Sequence, residues 1–329
     1  MTILSGVRPR TLILSVAPVA IGGAAAVEYI ETHIGQYSPY ICAPERTPCG
    51  TYHFHRTAIP WLPTLQLVIW LLCLIVAVFM QIAANFANDY SDGIRGTDDA
   101  RAESSPSATS APTRLVASGT DPGLVLRFAG GSAFIACLSG VILTALTRQW
   151  WFIAVGVACL VAGWFYVGGK HPYGYRGLGG VAVFVFFGLV ATLGTQYAMI
   201  GRLTPLGIVG AISAGASACA VLGINNLRDI ESDTAAGKLT LAVRIGPKAA
   251  RSLIAVETWA SVVLAGIGSA LCHSTLGMCG TILAGSVAAL LTYSIFAPDD
   301  DSDFRAMFRQ AVELSGSLAL TYLLCTLHF

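Results

Sequence analysis

The chain has 329 residues, of which 55% are hydrophobic and only 11% are charged. Soluble globular domains carry about 25% charged residues, so this chain cannot cover a water-facing surface in the usual way. Its net charge of +1 excludes the broad basic field expected of a nucleic-acid-binding protein. With a mean hydropathy of +0.68, the composition predicts a protein whose surface lies mostly in a lipid bilayer.

A membrane-spanning helix needs about 20 mainly apolar residues. The sequence has nine runs that meet or approach this length, so the predicted fold class is all-α, a polytopic bundle of nine transmembrane helices. The expected spans are Leu12–Val27, Leu65–Asn85, Gly123–Leu146, Trp151–Val167, Leu178–Ile200, Leu206–Ile224, Leu253–Leu271, Leu276–Phe296 and Ala311–Leu327.

The distribution of basic residues predicts the orientation of this bundle in a cell membrane. With the N-terminus in the cytoplasm, fifteen of the nineteen lysines and arginines fall on the cytoplasmic side and four fall outside. Because cytoplasmic loops are enriched in Lys and Arg, we expect this orientation, which leaves the C-terminus outside. Segments 88–121 and 225–252 are then cytoplasmic loops, and segment 28–63 is a long extracytoplasmic loop.

Four of the nine cysteines fall on the expected outer side. Cys42 and Cys49 lie in the first outer loop, and Cys272 and Cys279 flank an outer turn. On an oxidising face either pair is compatible with a disulfide, and free thiols are equally compatible with the spacing.

Two acidic segments lie in the cytoplasmic loops, one from Asn88 to Asp92 and one from Asn225 to Asp233. On a helix, residues four apart share a face, so Asp229 and Asp233 would lie side by side and repel each other. Oxygen ligands of this kind suit Mg²⁺, which binds through one or two carboxylates together with substrate phosphates. A solvated helix end is the alternative for a single pair, but two clusters on the same membrane side favour a binding site.

Basic residues follow or interrupt the same segments. Arg228 lies inside the second acidic segment, Lys238 follows it, Arg114 lies in the first loop, and Lys170 lies in a Gly-rich stretch. Together with Mg²⁺, such residues neutralise a diphosphate. Because the bundle is surrounded by lipid, we expect an isoprenoid diphosphate whose apolar tail stays in the bilayer.

Three blocks of sequence together resemble one known family. They are QIAANFANDYSD at 81–92 with GTD at 96–98, KHPYGY at 170–175 with GLG at 177–179, and NNLRD at 225–229 with the following residues to 244. The blocks closely resemble those of the UbiA superfamily of intramembrane prenyltransferases, and within it the menaquinone branch.

The resemblance implies a single UbiA-type domain over residues 1–329, with a central cavity open to the cytoplasmic side. It also implies transfer of a polyprenyl group from polyprenyl diphosphate to 1,4-dihydroxy-2-naphthoate, with release of diphosphate and CO₂, in menaquinone biosynthesis. By the same resemblance, Asn88, Asp89, Asp92, Asp229 and Asp233 would bind Mg²⁺; Arg10, Arg114, Asn226, Arg228 and Lys238 would bind the diphosphate; and Asp92, Asp229, Lys170 and Tyr175 would have catalytic roles.

Two other interpretations remain open at this point. One is a sister prenyltransferase that uses 4-hydroxybenzoate, homogentisate or a chlorophyll precursor, although the NNLRD block favours the naphthoate branch. The other is a transporter, for which ionisable groups should line a path through both membrane faces. Here Glu257 is the clearest acidic residue inside an expected span, and the other acidic residues gather at one rim.

Overall fold

The computed structural model describes residues 3–33, 64–94, 114–169, 172–297 and 303–327. Within these ranges the chain is helical and has no β-strand, which confirms the all-α prediction. The long helices are α1 (Ile13–His33), α2 (Thr64–Ile94), α3 (Pro122–Thr147), α4 (Trp151–Val167), α5 (Gly179–Ile200), α6 (Pro205–Arg228), α7 (Leu241–Leu271), α8 (Thr275–Phe296) and α9 (Phe304–Leu324).

Seven of these helices, α1–α3 and α5–α8, are long and apolar enough to cross a membrane. Helix α4 is apolar but short. Helix α9 has 21 residues, but Arg305, Arg309 and Glu313 lie in its first half and reduce its hydropathy. The multi-span prediction is therefore confirmed for the described part of the chain, whereas the count of nine spans is not.

The main difference from the predicted boundaries concerns the acidic segments. Helix α2 does not end at Asn85 but continues to Ile94, so that its 31 residues extend about 46 Å at 1.5 Å per residue. This exceeds the roughly 30 Å of a hydrocarbon core, so the first acidic segment forms the projecting end of a membrane helix. Segment 225–252 is likewise mostly helical, with a short helix at Ile230–Ala235 between α6 and α7.

Helix α6 lies at the centre of the bundle and packs against α1, α5, α7 and α9. Eleven of its 24 residues are Gly, Ala or Ser, which let neighbouring backbones approach closely. The tightest approach is to α5, where a Cβ atom on Gly188 would lie 2.7 Å from the Cα atom of Gly215 and 2.8 Å from the carbonyl oxygen of Ala211. Close packing of α5 on α6 fixes the turn before α5 relative to the end of α6.

A kink separates the start of α7 from its membrane-spanning part. Gly246 has φ 79° and ψ 165°, a conformation that strains residues with a side chain, and Pro247 follows it. The kink lets residues 241–245 turn aside, next to the segment that joins α6 to α7.

Several sequence-based predictions fall outside the described residues. These are the Cys42–Cys49 pair, Lys170, residues 96–98 of the first block and most of the outer loop 28–63. For the second cysteine pair, Cys272 is buried after α7, Cys279 is exposed on α8, and both are free thiols.

Candidate active site

The end of α2 presents two buried carboxylates with different surroundings. Asp89 and Asp92 lie three residues apart on the last turns of the helix, and their side chains are 1% and 7% exposed. Burial of a carboxylate is stable only when the charge is paired and hydrogen-bonded. The partners of the two groups therefore indicate what each one does.

Asp92 is the point where three separate parts of the sequence meet. The Tyr175 hydroxyl donates a 2.6 Å hydrogen bond to Asp92 Oδ1, and Lys238 Nζ lies 3.2 Å from the same oxygen. Arg114 Nη2 lies 3.6 Å from Asp92 Oδ2. Asp92 and Lys238 are 146 residues apart in the sequence, so this contact joins the first acidic segment to the residues that follow the second.

Two backbone features direct Lys238 and Tyr175 towards Asp92. Gly237 has φ 70°, which turns the chain sharply after the short helix, and the Lys238 amide donates to the Asp233 carbonyl at 2.7 Å. The next amide, of Leu239, donates to the Tyr175 carbonyl at 2.9 Å. The 3₁₀ turn Tyr173–Arg176 is thus fixed to the segment that carries Lys238.

The Tyr175 ring also contacts a cation. Lys238 Nζ lies 4.4 Å from the centroid of the Tyr175 ring, within the range of a cation–π interaction. A second aromatic residue of the same turn, Tyr173, is fixed by a 2.9 Å hydrogen bond from its hydroxyl to the Ala162 carbonyl of α4. The ring face of Tyr175 therefore lies in a position that favours positive charge beside the acidic segments.

Asp89 has a different set of partners. Arg8 Nη2 and Arg114 Nη1 lie 3.0 and 3.3 Å from Asp89 Oδ1, and the Leu115 amide donates to Oδ2 at 3.0 Å. Both oxygens are therefore occupied by protein donors. The assignment of Asp89 to Mg²⁺ stays a prediction, since the carboxylates of Asp92 and Asp229 are bonded to protein donors as well. Burial and the nearby charge of Arg114 lower the pKa of Arg8 to about 10, so Arg8 stays protonated at neutral pH.

The second acidic segment begins where α6 ends. Arg228 donates to both oxygens of Asp229, from Nε at 2.7 Å and from Nη2 at 3.0 Å. Asp233 is buried on the following short helix, and Asn226 is half-buried on α6. The carboxylate of Asp229 thus orients the guanidinium of Arg228 at the same end of the bundle as Lys238.

Two further predicted site residues, Asn88 and Arg10, differ in burial. Asn88 is half-buried on α2, whereas Arg10 is exposed. The arginine of the N-terminal segment that reaches the site is Arg8, which sequence reasoning did not select. Nothing in the sequence Arg8-Pro9-Arg10 distinguishes the two, since the difference arises from the left-handed backbone of Arg8, with φ 51°. The remaining predicted residue, Lys170, lies outside the described ranges.

The oxygen donors at the site suit Mg²⁺ when a phosphate ligand supplies the rest of its coordination. Asn88, Asp92, Asp229 and Asp233 offer hard oxygen atoms, but the described residues include no group of three or more His, Cys, Asp or Glu placed to hold a metal. One or two carboxylates with substrate phosphates are the usual Mg²⁺ environment in proteins. The residues therefore fit a metal that binds together with a diphosphate.

Comparison with known proteins matches the chain to one family. Residues 56–312 match the UbiA prenyltransferase family. The chain is 38% identical over 325 residues to a protein of Mycobacterium leprae named 1,4-dihydroxy-2-naphthoate octaprenyltransferase, with 96% of each chain covered. It is 42% identical to the protein of that name from Mycobacterium tuberculosis, with 76% of this chain and 72% of the relative covered. The Escherichia coli protein of that name is 32% identical, with 79% and 73% covered.

Two solved structures share the fold. A UbiA homologue from Archaeoglobus fulgidus, bound to GPP and Mg²⁺, superposes with a TM-score of 0.62 at 14% identity and covers 98% of this chain and 97% of its own. The apo structure of a UbiA homologue from Aeropyrum pernix superposes with a TM-score of 0.59 at 15% identity, with 94% of each chain covered. On the match to 257 consecutive residues and on these relatives, the chain belongs to the UbiA prenyltransferase family.

Proposed function

We propose that the chain transfers a polyprenyl group from polyprenyl diphosphate to 1,4-dihydroxy-2-naphthoate, with release of diphosphate and CO₂, in menaquinone biosynthesis. The observation that carries the proposal is the meeting of all three blocks at Asp92, through Tyr175 and Lys238. The acceptor is inferred from the relatives in the two mycobacteria and Escherichia coli, which are named for it.

The charge balance around Asp92 supports an anionic substrate. Three cationic side chains, Arg8, Arg114 and Lys238, surround the two carboxylates of Asp89 and Asp92. With Arg228, Asp229 and Asp233 included, the described site has four cationic side chains and four carboxylates, so Mg²⁺ alone would add uncompensated positive charge and a diphosphate bound with it would offset that charge. When bound, the metal would neutralise the negative charge that develops on the leaving diphosphate.

In this proposal Asn88, Asp92, Asp229 and Asp233 hold the Mg²⁺–diphosphate, and Asp89 does not. Lys238 and Arg228 donate charge-assisted hydrogen bonds to phosphate oxygens, and these bonds strengthen as the C1–O bond breaks. Lys170, Arg114 and Asn226 are further candidates for the diphosphate. Arg10 is left out because it is exposed.

Tyr175 has two roles in the proposed reaction. Its hydroxyl donates to Asp92 and so orients that carboxylate. In this proposal Lys238 turns to the phosphate oxygens, and the ring face that it contacts in the structure then stabilises the positive charge on C1 of the prenyl group as diphosphate departs. The acceptor ring then attacks C1 through the carbon that bears the carboxylate, and the C–CO₂ bond breaks to restore aromaticity. The product is demethylmenaquinol, the reduced form of demethylmenaquinone.

The site is proposed to face the cytoplasm. The ends of α2 and α6 and the start of α5 meet at one rim of the bundle, as the Asp92 contacts require. Fifteen of the nineteen basic residues lie in segments assigned to that side, which supports a cytoplasmic N-terminus.

The test is the mass of the product made by purified chain in lipid nanodiscs. Radiolabelled polyprenyl diphosphates of several lengths are offered with 1,4-dihydroxy-2-naphthoate, 4-hydroxybenzoate or homogentisate, with and without Mg²⁺. We expect a prenylated, decarboxylated naphthoate product that requires Mg²⁺ and is lost in Asp92→Asn and Asp229→Asn. The matched control is Glu231→Gln, because Glu231 is an exposed acid between the two aspartates of the second segment. Product with another acceptor alone, or no diphosphate release, would contradict the proposal.

A further inference from the structure

The segment before α1 is attached to α2 by a row of polar contacts. Gln81, Asn85 and Asp89 lie four residues apart on α2, so they form one stripe along the helix. The Asn85 amide donates to the Val7 carbonyl at 3.0 Å and to the Thr11 hydroxyl at 3.2 Å. Gln81 donates to Asn85 at 3.0 Å and so supports this contact. The stripe fixes the N-terminal segment in register with the end of α2.

Arg8 contacts Asp89, the last residue of this stripe. It has a left-handed backbone conformation, with φ 51° and ψ 68°, which costs free energy for any residue with a Cβ atom. Pro9 follows it, and the Thr11 amide and hydroxyl both bond to the Arg8 carbonyl at 2.9 Å. The surrounding bonds therefore hold Arg8 in the one conformation that directs its guanidinium to Asp89.

Asp89 connects Arg8 to the diphosphate site through Arg114. The Arg114 guanidinium is shared, with Nη1 3.3 Å from Asp89 and Nη2 3.6 Å from Asp92. A guanidinium can instead donate two parallel bonds to one carboxylate, and this bidentate arrangement is the stronger one. Sharing requires that Asp89 be neutralised by another cation, and Arg8 supplies that charge at 3.0 Å.

We propose that Arg8 is a positioning residue of the prenyl-transfer site. It neutralises Asp89, so that Arg114 remains divided between Asp89 and Asp92 and helps to hold the Asp92 carboxylate in place for the diphosphate. Asp89 is then the counter-ion of two arginines rather than a ligand of Mg²⁺. The proposal rests on the proposed function for the identity of the substrate, but its charge logic is confined to Arg8, Asp89, Arg114 and Asp92.

The test compares Arg8→Gln, Asp89→Asn and the double variant with the wild type. In Arg8→Gln we expect Arg114 to move fully onto Asp89, and KM for polyprenyl diphosphate to rise at least tenfold with a smaller change in kcat. Arg8→Lys keeps the charge and should recover most of that loss. Removing the Asp89 charge as well should also lower the raised KM for polyprenyl diphosphate, so the double variant should bind the donor better than Arg8→Gln alone. Arg127→Gln is the matched control, since Arg127 is exposed at the start of α3.

A second measurement does not depend on catalysis. Binding of Mn²⁺ together with inorganic diphosphate, followed by electron paramagnetic resonance, should keep its wild-type stoichiometry in Asp89→Asn and in the double variant. Loss of bound Mn²⁺ in Asp89→Asn, or a double variant no better than Arg8→Gln, would overturn the proposal. A wild-type chain that binds Mn²⁺–diphosphate with these dependences yet transfers no prenyl group would refute the proposed function and leave the role of Arg8 standing. Thermal unfolding in detergent checks that each variant is folded.

Discussion

Replacement of Lys238 by Met isolates the contribution of the contact between the first acidic segment and the lysine that follows the second. The Lys238 side chain is 8% exposed, its Nζ lies 3.2 Å from Asp92 Oδ1, and Met fills similar space without the charge. Asp92 keeps Tyr175 and Arg114 as partners, so the carboxylate is not left unpaired and the protein should still fold.

The expected loss follows from the kind of interaction that is removed. Hydrogen bonds to charged groups contribute about 1.5–3 kcal/mol, and removal of a donor to an oxyanion that forms in the transition state costs about 2.7–4 kcal/mol. Taking about 2–4 kcal/mol, kcat/KM for polyprenyl diphosphate should fall by about 30-fold to about 1,000-fold.

The assay is steady-state release of labelled diphosphate at saturating acceptor, with Lys248→Met as control. Lys248 is exposed at the start of the spanning part of α7, so its replacement should leave kcat/KM unchanged. An unchanged kcat/KM for the donor in Lys238→Met, or an effect confined to KM for the acceptor, would refute the assignment of Lys238 to the diphosphate.

Three further outcomes are expected. Tyr175→Phe keeps the ring but removes the 2.6 Å hydrogen bond to Asp92. Because such a bond contributes about 1.5–3 kcal/mol, kcat should fall by about tenfold or more. In Tyr175→Leu the ring face is also lost, so the single-turnover rate should fall further. Chelation of Mg²⁺ should abolish transfer and also weaken binding of inorganic diphosphate, measured by calorimetry, because the two ligands neutralise each other. Gly188→Val should destabilise the bundle by about 2 kcal/mol or more, seen as a lower thermal midpoint in detergent, since its Cβ would lie 2.7 Å from the Gly215 Cα.

Much of the site could be read from the sequence because its parts are local. The acidic segments, the Gly-Lys that follows the second one and the Tyr-containing turn are each short, and their residue types indicate diphosphate chemistry before any fold is known. The contacts of Asp92 with Tyr175 and Lys238 join these parts. The all-helical membrane bundle followed from composition and run length for the same reason.

What the sequence did not predict depends on contacts between distant segments. Spacing alone made Asp89 equivalent to its neighbours on α2, and only the approach of Arg8 and of the turn at Leu115 distinguishes it as a buried counter-ion. Apolar run length ends the predicted span at Asn85, whereas α2 continues through the polar residues to Ile94, and Asn85 itself is bonded to the Val7 carbonyl of the N-terminal segment. The predicted count of nine spans is not confirmed in the described residues, because α4 is short and α9 mixes charged and apolar turns.

A double-mutant cycle between Asp92 and Lys238 tests most directly whether the two acidic segments form one diphosphate site. Binding of Mg²⁺ with a non-hydrolysable prenyl diphosphate analogue is measured by calorimetry for wild type, Asp92→Asn, Lys238→Met and the double variant. Residues in one ion-pair network show coupling of about 0.5–3 kcal/mol, so we expect the double variant to lose clearly less affinity than the sum of the single losses. Strictly additive losses, or wild-type affinity in either single variant, would contradict a shared site.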